Sequence, residues 1–125
     1  MTITTVPLAS PAAVDRARPD AARWPPALRT YLYARSATGF HARMFAADPG
    51  LYEDPATGSA AAAFAGVVMR FDAPSDGDHL IEIQQGVAMG RPSTIHLRLA
   101  VEGGALASAS IGGGAVMVAS GTLDL

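Results

Sequence analysis

The side chains that could do chemistry in this chain are concentrated in one stretch. Glu53-Asp54-Pro55-Ala56-Thr57-Gly58-Ser59-Ala60 packs two carboxylates, two hydroxyls and a glycine together. The run from Ala60 through Met69 then carries no polar side chain. A polar loop opening an apolar helix, with small residues at the junction, suits an anion. The first N–H groups of a helix have no internal partner, and the helix dipole is positive there. A carboxylate or a phosphate can take up both. Taken alone, Asp54 is equally an ordinary capping aspartate. Thr57 and Ser59 carry the same ambiguity, and Gly58 is equally a close-packing position.

Other chemistries are closed to this chain. All nine basic residues are Arg, so a Schiff-base lysine and a P-loop lysine are excluded. There is no Cys, which removes disulfides, thiolate metal sites and cysteine acid–base pairs. His41, His79 and His96 are widely spaced and lack a metal-ligand pattern, so no metal is expected. His41 and His96 read as strand surface, and His79 as a loop edge. Arg43 reads as strand surface or an interface contact. Arg91, in a loop beside Pro92, is within reach of an anion but better suits a structural ion pair or bonds to backbone carbonyls. A net charge of −2 is of the wrong sign for nucleic acid. The longest apolar run falls short of the ~20 residues that span a bilayer. A soluble, cytoplasmic protein is the expectation.

The elements that must position the acidic stretch follow from pattern. Half of the residues are apolar and only 16% are charged, which argues one packed domain over the whole chain. Residues 3–8 suggest a strand. Ser10-Pro11 is a helix start, with a short helix over 12–17. Asp20 is placed to cap a further helical turn over 21–24, stopped by Pro25-Pro26. Strands over 31–37 and 40–46 flank Thr38-Gly39 as a hairpin. Phe40, Ala42 and Met44 share one face of the second strand, His41 and Arg43 the other. Asp48-Pro49-Gly50 is turn chemistry.

The central helix is expected over 57–71 and buried all round, since no polar stripe interrupts it. Strands follow over 80–84 and 94–102, with an ordered loop over 86–93 between them. In 94–102, Ile95, Leu97, Leu99 and Val101 alternate with polar residues. Two more strands, 105–111 and 115–123, complete an antiparallel meander. Gly112-Gly113-Gly114 is read as a tight turn between them and not as a phosphate loop, because no helix follows. A curved sheet wrapped around one apolar helix is the simplest packing.

Three motifs together carry a resemblance: Phe40-His41-Ala42-Arg43-Met44-Phe45, Glu53 through Ala60, and Gln85-Gly86 with Met89-Gly90-Arg91-Pro92-Ser93. In order and spacing the chain resembles the C-terminal half of the phenazine-biosynthesis-like (PhzF-like) isomerases, relatives of diaminopimelate epimerase. The likeness extends over nearly the whole chain. It implies an α+β fold: one lobe of the diaminopimelate-epimerase-like fold, a curved, mostly antiparallel sheet around a central apolar helix. It also implies a two-lobed whole, with the active site in the cleft between lobes and both central helices pointing their N-termini at the substrate.

The family's activity is cofactor-independent proton transfer on small carboxylated molecules, such as a dihydro-hydroxyanthranilate. By motif position, Asp54 matches the catalytic-site aspartate that orients or shares a proton with the substrate's hydroxyl or amino group. Gly58 and Ser59 match the residues that hold the substrate carboxylate, with Thr57 adjacent. The family's catalytic glutamate belongs to the other lobe, and Glu53, Glu82 and Glu102 do not match it. Activity is therefore expected to need a separate N-terminal lobe or a second copy in a homodimer. The alternative is a non-catalytic dimeric half-chain that binds a small carboxylate.

Overall fold

The structure, a computed structural model, describes residues 2–20, 25, 28–48 and 51–124, with backbone alone at 47, 48 and 51. Among the described residues, seven strands form a single sheet: β1 (Ile3–Pro7), β2 (Arg29–Arg35), β3 (Gly39–Asp48), β4 (Leu51–Asp54), β5 (Gly77–Gln85), β6 (Ser93–Glu102) and β7 (Ala105–Gly113). The helices are α1 (Pro11–Arg16) and α2 (Gly58–Phe71). The main path of the sheet runs β1-β2-β3-β5-β6-β7, and β4 pairs with β3 beside that path. Most pairings are antiparallel, as expected. Two are not: β1 runs parallel to β2, and β3 parallel to β5. The expected helical turn at 21–24 and the turn residues Pro49 and Gly50 lie outside the described residues.

Local chemistry explains the elements. Ser10 caps α1, its hydroxyl accepting from Ala13 N, and Pro11 sits at the first helical position where its missing N–H costs nothing. The Thr38-Gly39 hairpin forms, closed by Ser36 N–H to Gly39 O. Gly39 is forced there: its φ is +156°, and a Cβ would lie 2.2 Å from the Glu82 carbonyl oxygen. In β6, Ile95, Leu97, Leu99 and Val101 all point inward and are buried, as the alternation requires.

Helix α2 lies in the concave face of the curled sheet. Ala60, Ala61, Phe64, Ala65 and Val68 recur at three- and four-residue spacing and form its buried stripe. Phe64 is the hub. Its ring meets Tyr33 and Phe40 edge-on at 4.7 and 4.8 Å, and Tyr31 at 6.0 Å. Ala42, Met44, Ile83, Ile95, Leu97 and Leu99 complete the core around it. The expectation that α2 is buried all round fails. Ala62, Ala63 and Gly66 are exposed, because the sheet curls past one side of the helix and leaves the other open.

Two further expectations are corrected. Gly112 and Gly113 make no turn; they extend β7 and pair with His96 and Ile95. The strand expected at 115–123 does not form. Residues 114–124 have no regular structure, and Val116, Met117, Val118 and Leu123 are exposed. Apolar alternation signals a strand only where another strand supplies the ladder, and among the described residues none pairs with the second edge of β7.

Sequence alternation also misplaced the convex face. His41 and Arg43 do point away from α2, but both are buried. Helix α1 covers them, a packing that no local pattern reports. His41 Nε2 donates to Asp15 Oδ1 at 2.7 Å. Arg43 donates to both carboxylate oxygens of Glu53 at 2.8 Å and to the carbonyls of Val14, Asp15 and Ala17. Those carbonyls close the C-terminal end of α1, where a cation complements the dipole. His79 lies within β5 and not at a loop edge, its Nε2 donating to Ser75 O at 2.7 Å. No helix among the described residues is long and apolar enough to cross a membrane.

Candidate functional site

The acidic stretch sits at a fork in the sheet. One edge of β3 pairs first with β5, ending at Ala42 opposite Gln85, and then with β4, beginning at Met44 opposite Asp54. The ends of β4 and β5 are thereby brought together beneath the start of α2. Neighbouring carboxylates in β4 part company here. Glu53 pairs with Phe45 on the convex side, and Asp54 with Met44 on the concave side.

Glu53 is fully engaged by Arg43, and its hydrogen bonds hold the guanidinium still more firmly protonated than usual. Asp54 is part-buried and among the described residues has one side-chain partner, the Thr57 hydroxyl, which donates to Oδ2 at 2.7 Å. Thr57 is the N-cap residue of α2 by backbone position, yet its side chain makes no capping bond. Its hydroxyl is committed to Asp54. The first N–H groups of α2, those of Gly58, Ser59 and Ala60, have no hydrogen-bond partner among the described residues; the first backbone bond runs from Ala61 N to Thr57 O. The Ser59 side chain is exposed.

An open cleft of about 530 Å³ lies against this helix start, lined by Ala56, Gly58, Ser93, Thr94 and Ile111 among others. Gly58 lines it directly. Asp54, Thr57 and Ser59 flank it without lining it. A side chain at position 58 would press on Ile111, whose Cδ1 lies 2.7 Å from where its Cβ would be. The structure thus brings Asp54 and Thr57 into contact and puts Gly58 at the cleft. It leaves Arg91 exposed in the loop after the 3₁₀ turn Val87–Met89, with its backbone N–H donating to Gly86 O.

Gln85 is the site residue that sequence reasoning missed. It is fully buried at the end of β5, where a strand pattern predicts only a polar rim. Its amide ties together Tyr31, Asp54 and Thr57 through four hydrogen bonds. The available signal was the glycine beside it. Gly86 has φ +78°, and a Cβ there would lie 2.3 Å from Arg91 O and 2.8 Å from Pro55 O. That position admits only glycine, and it lets the two loops around the cleft close on Gln85. Among the described residues no group of three His, Asp or Glu could hold a metal.

Fold and geometry define a class first: an α+β lobe whose central helix opens at a polar cleft. The model of the family described as phenazine biosynthesis-like protein matches residues 3–121, and the chain belongs to that family. A protein of Mesorhizobium japonicum named as an uncharacterized isomerase is 48% identical over 132 residues, covering 95% of this chain and 44% of that protein. The chain therefore spans less than half the length of that curated relative. The crystal structure of a Bacillus anthracis phenazine biosynthesis protein of the PhzF family has the same fold, with a TM-score of 0.69 at 18% identity, over 79% of this chain and 37% of that one.

Proposed function

We propose that this chain is the carboxylate-binding lobe of a cofactor-independent isomerase that moves a proton on a small carboxylated molecule. The observation that carries the reading is the helix start at Gly58 and Ser59, whose N–H groups have no hydrogen-bond partner among the described residues and lie near the Asp54 carboxylate that Thr57 holds. Donors at a positive helix end recognise a carboxylate, and the Ser59 hydroxyl adds a further donor. Asp54 then anchors the substrate's hydroxyl or amino group and shares its proton. The name of the Mesorhizobium relative, an isomerase, supports the reaction class.

Moving a proton between two positions calls for a second acid–base group. Glu53 cannot supply it while both its oxygens are held by Arg43. The second group comes from another lobe, of the length the relative has beyond this chain, or from a second copy.

The test is deuterium exchange in heavy water, followed by NMR, with a dihydro-hydroxyanthranilate as substrate. The chain is mixed with the remaining part of the Mesorhizobium relative supplied separately, and also run alone. Deuterium at a ring carbon, lost in Asp54→Asn, is the expected result. Benzoate binding that Ser59→Pro weakens, without exchange in any mixture, would reduce the role to carboxylate binding. No exchange, and no effect of Asp54→Asn or Ser59→Pro on any ligand, would end the proposal.

A further inference from the structure

The hydrogen bonds around Gln85 have a polarity that the neighbouring backbone fixes. Gln85 Nε2 lies 2.7 Å from the Asp54 carbonyl oxygen, which can only accept. Its Oε1 lies 3.3 Å from the Thr57 backbone N–H, which can only donate. Two backbone groups of opposite kind thus set the amide orientation without reference to any rotatable proton. The rest follows in order. Tyr31 must donate its phenol proton to Oε1, at 3.2 Å. Burial pushes the Tyr31 phenol above its ordinary range, so the proton is present. Gln85 Nε2 also faces Thr57 Oγ1 at 3.0 Å and must donate to it. The Thr57 hydroxyl proton is then left for Asp54 Oδ2, at 2.7 Å.

We infer that Gln85, held by Tyr31, is a positioning residue that turns the Thr57 hydroxyl onto Oδ2 of Asp54 and so selects Oδ1 as the oxygen that meets substrate. Among the described residues Oδ1 has no hydrogen bond. The Thr57 side chain, held between Gln85 and Asp54, makes no capping bond to α2. The inference rests on the reading of Asp54 as a substrate-facing group, but it is tested on the chain without substrate.

The experiment uses the chain with its aspartates labelled at the carboxyl carbon and reads the Asp54 ¹³Cγ resonance at pH 7. Thr57→Val is expected to move that resonance, and Thr57→Ser, which keeps the hydroxyl, to leave it near the original position. In a Gln85→Met background the Thr57 hydroxyl can still donate to Asp54, so Thr57→Val again moves the resonance. In a Gln85→Glu background the carboxylate at 85 takes the Thr57 proton, and Thr57→Val no longer moves it. An equal Thr57→Val effect in all three backgrounds overturns the inference, as does no effect in the parent chain.

A second measurement stands if the Gln85 variants do not fold. In the parent chain both Gln85 side-chain N–H protons should exchange with solvent far more slowly than those of Gln84. Equal exchange overturns the inference as well. Failure here leaves benzoate binding and deuterium exchange untouched, so the two readings fail separately.

Discussion

Glu53 and Asp54 are adjacent carboxylates on one strand, and they have opposite fates. Glu53 turns to the convex face and meets a bidentate guanidinium, the arrangement that most completely satisfies a carboxylate. Asp54 turns to the concave face and meets a single hydroxyl. The Arg43 side chain is 6% exposed and that of Glu53 15%, and Arg43 also closes the end of α1. On one side of β4 the polar groups are satisfied and lock an element in place. On the other they are left with capacity to spare. The alternation of faces along a strand therefore separates a structural ion pair from a carboxylate with one oxygen unbonded among the described residues.

The sharpest way to break this comparison is Arg43→Met. It leaves the part-buried Glu53 unpaired and releases three carbonyls, and should cost about 3–5 kcal/mol of unfolding free energy in urea titrations. Asp54→Asn removes only one charge-assisted bond and should cost about 1 kcal/mol in the same assay; on the proposed function it should also lower isomerase turnover of the chain mixed with the rest of the relative by roughly a hundredfold. Equal destabilisation by the two variants would dissolve the contrast.

The smallest effect is expected at Asp76, an exposed carboxylate whose Oδ1 and Oδ2 accept from the backbone N–H groups of Gly104 and Gly103. Those bonds hold its carboxyl below the usual range. A depressed folded value stabilises above the unfolded value, near ~3.9, and the benefit fades as pH falls through the folded one. The stability difference between the parent chain and Asp76→Ala should therefore be present at pH 6 and shrink under acid, as thermal melts at several pH values would show. A difference that grows under acid would reverse the sign.

What could be read from the sequence was what local chemistry decides. The Ser10 cap, the alternation of β6, the Thr38-Gly39 hairpin and the span of α2 each rest on a few neighbouring residues. What could not be read depends on distant packing. His41 and Arg43 looked like strand surface because α1, which covers them, is remote in sequence. The alternation at 115–123 suggested a strand, but a strand needs a ladder partner. Gln85 looked like one more polar residue at a strand end, and only the fork of β3 brings its partners within reach. Asp54 and Gly58 were legible as candidates because carboxylate, hydroxyl and glycine lie within one loop.

Gln85 draws its partners from across the chain: Tyr31 is 54 positions away, Asp54 31 and Thr57 28. Loops of that length must close before any of these bonds can form. The Gln85 cluster beside the cleft is therefore complete only once these distant segments have met. A ligand that binds there is bound by the native chain alone. At a hundred times its dissociation constant it would add about 2.7 kcal/mol to the stability of the whole lobe. Ligand-dependent protection from proteolysis would then extend to residues that never touch the ligand.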